Sequence, residues 1–120
     1  MSILLKRVYE KPSAEDGKRI LVDRLWPRGL RREDAGVDEW LKEVAPTATL
    51  RKWYSHDPSK WTEFKKRYWK ELEEKKDTVE KLARECMEGK VTFVFGSKEE
   101  KLNNAAALKE YIETKFKLGV

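Results

Sequence analysis

Apolar and polar positions along the chain alternate between short, turn-bounded runs and long stretches of helical period. Ile3-Leu4-Leu5-Lys6-Arg7-Val8-Tyr9 is rich in β-compatible side chains and is closed by Lys11-Pro12-Ser13 and the Asp16-Gly17 turn signal, which predicts a first strand. Arg19-Ile20-Leu21-Val22-Asp23 is an apolar run that ends in polar chemistry, and Val91-Thr92-Phe93-Val94-Phe95 has the same character. Both predict buried strands, and no other segment has this pattern.

Between the second and third predicted strands the period becomes helical. Trp40, Leu41, Val44 and Ala45 share one helical face, and Pro46 stops that helix. Asp57-Pro58 predicts a second start, with Asp as N-cap and Pro in the first turn, for a helix burying Trp61, Phe64, Tyr68 and Leu72. Asp77-Thr78-Val79-Glu80 has the form of a capping box, leading into Val79, Leu82, Ala83 and Cys86 before Gly89 ends the run. Asn103 or Asn104 caps a last helix whose inner face is Ala105, Leu108, Tyr111 and Ile112.

The fold class that follows is α/β: a small sheet of about three strands, mostly parallel, flanked by four or five helices, as one domain over residues 1–120. The second and third strands are joined through helices, so a right-handed parallel crossover is expected, with their carboxyl ends side by side. In open α/β sheets the ligand crevice forms outside those ends, which places Asp23 to Gly29 near Gly96 to Asn104. The link from Glu10 to Lys18 is short for a parallel crossover and leaves the direction of the first strand open.

Composition narrows the function classes. With 39% hydrophobic residues and five Trp, the chain has the apolar area that a disordered one lacks. One Cys and one His rule out an internal disulfide and make a metal cluster improbable, so no metal or cofactor is expected. The apolar stretch in Met1 to Arg7 is too short for an export signal or a membrane span, which fits a cytoplasmic protein without a membrane partner. The net charge of +5 is spread evenly along the chain, without a basic tail.

Chemistry concentrates in Asp23-Arg24-Leu25-Trp26-Pro27-Arg28-Gly29-Leu30-Arg31-Arg32. It holds four Arg and no Lys, although Lys outnumbers Arg twofold in the whole chain. A guanidinium presents a fixed fork of donors suited to carboxylate or phosphate, so this is a candidate anion-binding loop. Arg24 and Arg28 would hold the anion, Trp26 would form a wall, and Gly29 would admit close approach. The plainer alternative pairs Asp23 with one Arg, puts Trp26 in the core and leaves Arg31 and Arg32 in solvent.

Phe95-Gly96-Ser97-Lys98-Glu99 and the helix start at Asn104 would add Ser97, Lys98 and Asn104 as ligand-binding groups. Asp23 and His56 are the candidate proton-transfer groups, His because imidazole titrates near neutrality; the plainer alternative is a structural or merely exposed His56 beside the Asp57 cap. A small phosphate-, carboxylate- or nucleotide-bearing anion is the expected ligand, whether or not the site is catalytic. The alternative is a nucleic-acid-binding or regulatory interaction module, and either a monomer or a homodimer fits the sequence.

Read in order, Lys-Arg-Val-Tyr-Glu (6–10), Leu-Val-Asp-Arg-Leu-Trp-Pro-Arg-Gly-Leu (21–30), Trp-Leu-Lys-Glu-Val-Ala-Pro (40–46), Leu50-Arg51, His56-Asp57-Pro58 and Asn103-Asn104 resemble the YeaO-like group of uncharacterised domain-of-unknown-function proteins. The resemblance covers nearly the whole chain and implies the same α/β class. The resemblance extends to longer relatives in the same broad superfamily, for which it implies a Cys-His-Arg cluster where this chain has Asn103-Asn104-Ala105, so cysteine chemistry does not carry over. What the resemblance implies is a shared place for a site, at the strand ends.

Overall fold

The computed structural model of the chain describes residues 3–117. Met1 and Ser2, which begin the stretch judged too short for export, lie outside the described residues. Four strands form one sheet: β1 (Ile3–Arg7), β2 (Lys18–Leu21), β3 (Glu39–Trp40) and β4 (Val91–Phe95), in the order β1-β4-β2-β3. All three pairings are parallel, which answers the question of the first strand's direction. The predicted third strand has the bounds of β4, and the first two end earlier than expected, although Val8 and Val22 each donate one more bond, to Phe95 and Val94.

The strand at Glu39–Trp40 corrects the helix predicted over Trp40 to Ala45. The backbone there pairs with the free edge of β2, Asp38 N–H donating to the Arg19 carbonyl and Leu41 N–H to the Leu21 carbonyl, each at 2.9 Å. A single 3₁₀ turn (Lys42–Val44) then leads to Pro46. A segment this short spends its donors better on a waiting strand edge than on a helix whose first turn leaves them unmet.

The helices are α1 (Arg32–Ala35), α2 (Ala48–Tyr54), α3 (Trp61–Glu73), α4 (Lys76–Glu88) and α5 (Asn104–Phe116). Asp57 caps a 3₁₀ turn (Pro58–Lys60) that runs into α3, as its Asp-Pro pair foretold. Asn103 caps α5, its side-chain oxygen accepting Ala106 N–H at 2.9 Å. The capping box expected at Asp77 does not form: α4 has already begun at Lys76, without a side-chain cap.

Side chains alternate across the strands, so each strand serves two faces. Ile20, Val22, Val91, Phe93 and Phe95 enter the main core with Phe64, Tyr68, Leu82, Leu108 and Ile112 of the long helices. Leu21, Val94 and Val8 point the other way and pack with Trp26, Leu30, Val37 and Trp40. Among the described residues no long helix covers that second face; the segment between β2 and β3 does.

The same side holds a buried polar clasp. Arg19 is 2% exposed; it bonds the Asp16 carboxylate at 2.8 Å and donates to the carbonyls of Gly36, Ala35, Glu10 and Val8. Gly17, at φ 63°, lets the chain enter β2 against Lys90, whose backbone a Cβ would strike. Among the described residues no helix is long and apolar enough to cross a membrane.

Candidate functional site

Because β2 and β4 run parallel, the residues following them emerge together at one edge of the sheet. Asp23 fastens this edge. One carboxylate oxygen accepts Gly96 N–H at 2.8 Å and the other accepts the Asn104 side-chain amide at 3.1 Å, while that amide also donates to the Val22 carbonyl. Burial pushes the Asp23 carboxyl above its ordinary value, against the opposing pull of Gly96 N–H, the Asn104 amide and the Arg51 charge. Arg7 locks the turn from outside, donating to the Ser97 and Gly96 carbonyls.

A cleft of about 280 Å³ opens over this clasp. Its floor includes Tyr54 and Phe64, whose rings stack at 4.3 Å between centroids, and its walls include Trp26, Pro27, Pro46 and Leu25. Arg28, Arg51 and His56, all exposed, stand around it. Asn103 and Asn104 bring the amino terminus of α5 to the same cleft, where the helix dipole is positive.

The arginine-rich run divides its members among four tasks. Arg24 turns from the cleft and donates to the Pro46 carbonyl at 3.2 Å. Arg31 pairs with Asp34 on the surface, and Arg32 lies over the Trp26 ring at 4.8 Å. Arg28 faces the cleft, and among the described residues neither it nor Arg51 has a carboxylate or carbonyl partner for its guanidinium. Arg24 and Arg28, expected to act together, are thus apart.

Trp26 is both wall and packing: its indole N–H donates to the Leu30 carbonyl at 2.6 Å and its ring meets Trp40 edge-on at 5.5 Å. Gly29 adopts φ 75° with open space around it, so glycine there answers to backbone conformation rather than crowding. Ser97 lines the cleft with its hydroxyl accepting Glu99 N–H at 3.0 Å; Lys98 is exposed and stands outside the lining. His56 and Ser55 are consecutive left-handed residues, φ 56° and 46°, a costly backbone that sets the imidazole at the rim. Among the described residues no group of three or more His, Cys, Asp or Glu is placed to hold a metal ion.

Two contributors were not singled out from the sequence. Arg51 belongs to a seven-residue helix without a strong periodic pattern; the signal available was again arginine where lysine predominates. Tyr9 was assigned to the first strand, yet its hydroxyl donates to the Arg28 carbonyl at 2.9 Å and its ring lines the cleft.

The chain matches the DUF488-N3i family, described as "Inactive DUF488-N3 subclade", over residues 2–118. It is similar to the uncharacterised protein YeaO of Escherichia coli, at 35% identity over 95% of this chain and 99% of that protein. Uncharacterised proteins of Mycobacterium tuberculosis and Mycobacterium bovis are 49% identical over 70 residues, 58% of this chain and 59% of each relative. The matched segment therefore spans less than two thirds of those mycobacterial relatives. No solved structure matches the chain. The family match takes in the whole sheet, all five helices and the cleft residues, and the chain therefore belongs to this YeaO-like DUF488-N3 family, in the subclade described as inactive.

Proposed function

We propose that the cleft binds a small ligand through an oxyanion, phosphate or carboxylate, and holds it without chemically transforming it. The observation carrying this is that Arg28 and Arg51 line one cleft and, among the described residues, neither has a carbonyl or carboxylate partner; Arg7, Arg19, Arg24, Arg31 and Arg67 each reach one, and Arg32 and Arg84, which do not, lie outside the cleft. Two unspent guanidinium forks beside a helix amino terminus suit an oxyanion. Asp23 acts as organiser, since both its oxygens are already engaged by Gly96 N–H and the Asn104 amide.

The family description, "inactive", supports binding over catalysis. So does the position of the one thiol: Cys86 is buried in α4, and burial pushes it up to about 12, far from a reactive thiolate. The volume, near the lower end of the roughly 300–1,000 Å³ typical of ligand pockets, favours a small molecule.

The test is calorimetric titration of inorganic phosphate and acetate at fixed ionic strength. One of the two should bind, and Arg28→Gln or Arg51→Gln should each weaken it by about 1.5–3 kcal/mol, the worth of a charged hydrogen bond. Both residues are exposed, so the melting temperature without ligand should hold. Intact binding in both variants overturns the proposal.

A further inference from the structure

We infer that the ligand of this cleft is an amphipathic oxyanion, whose charged head meets Arg28 and Arg51 and whose planar apolar body lies against Leu25 and Tyr9. This rests on the anion-binding proposal and specifies what the anion is attached to. Leu25 is 66% exposed, the most exposed large apolar side chain of the described residues, and Tyr9 is 42% exposed; both line the cleft. The comparably exposed Leu4 and Met87 lie outside it.

The exposure of Leu25 is not slack in a loose loop. The side chain of Arg24 before it is tied to the Pro46 carbonyl and the indole of Trp26 after it to the Leu30 carbonyl, so both neighbours of the outward isobutyl group are anchored. Tyr9 is equally fixed, its hydroxyl bonded to the Arg28 carbonyl and the Arg7 guanidinium 4.9 Å from its ring centroid. That hydroxyl bond also ties the aromatic wall to the backbone from which the Arg28 side chain projects. A bare phosphate would leave this apolar wall in water, whereas a ring bearing an oxyanion covers it.

The experiment compares matched probes on the full chain by calorimetry: inorganic phosphate with phenyl phosphate, and acetate with benzoate. In at least one pair the aryl member should bind roughly tenfold tighter, the effect of burying part of one ring. Leu25→Ser should bring that ratio close to one, and Met87→Ser, an equally superficial change on α4, should leave it as it was. Equal affinities within both pairs, or a ratio indifferent to Leu25→Ser, overturn this inference and leave anion binding standing. If none of the four probes binds, both fail.

Discussion

At the scale of single residues, arginine is used in two opposite ways. Arg19 is fully enclosed and every arm of its guanidinium is spent, on Asp16 and on carbonyls from the loops on either side of β2. An ammonium in its place cannot reach that many acceptors. Arg19→Lys should therefore cost about 2–4 kcal/mol in chemical denaturation, at roughly 1 kcal/mol for each buried carbonyl left without its donor. Asp16 makes the clasp pH-dependent. Burial raises its carboxyl, but the bonds from Arg19, Ser13 and Lys6 outweigh burial and hold it below its ordinary 3.8. Its contribution is thus complete above that ordinary value and is lost as pH falls through the lower, folded one. Stability measured between neutral and acid pH should fall in the parent protein and fall less in Asp16→Asn. Arg28 and Arg51 are the counter-case, exposed and unspent.

At the scale of elements, the junction between α2 and α3 carries a measurable cost. Ser55 and His56 sit in the left-handed region, which disfavours a side chain by roughly 1–2 kcal/mol per residue. Glycine removes that penalty and the imidazole together. His56→Gly should leave thermal stability unchanged or raised by up to about 1 kcal/mol while weakening anion binding; reduced stability with full affinity would show His56 to be merely structural. Elements with strong local signals were legible in the sequence: β4 from its continuous apolar run, α3 from the Asp57-Pro58 start, and α5 from Asn103. Elements held by tertiary partners were not. Trp40 and Leu41 fit a helical stripe, but the open edge of β2 claims the backbone around them, and α4 starts at Lys76 ahead of the better cap. The site divided in the same way. Topology alone brought Asp23, Gly96 and Asn104 together, as the strand-end argument expected, whereas the outward turn of Arg24 depends on the Pro46 carbonyl across the fold.

At the scale of the whole molecule, the sheet is loaded unequally. Phe93 on central β4 meets the helical core, whereas Leu21 on β2 belongs to the smaller cluster beneath the β2–β3 segment. Phe93→Ala should cost about 3–5 kcal/mol, enough to consume much of a small domain's margin, and Leu21→Ala should fall toward the lower end of about 2–5 kcal/mol. Urea midpoints of the two variants provide the comparison, and equal losses would mean that the two faces are equally well packed.

That imbalance bears on how the protein can change. Residues 22–38 cover the second sheet face with Trp26, Leu30 and Val37, and the same stretch supplies Leu25, Trp26, Pro27 and Arg28 to the cleft. In most α/β architectures the structural cover and the site-bearing loop are separate pieces, so one can be lengthened while the other stays. Here they are one strip of chain. Retuning the cleft by insertion would peel the cover from Leu21 and Val94, so new specificities are best sought by exchanging side chains at fixed length.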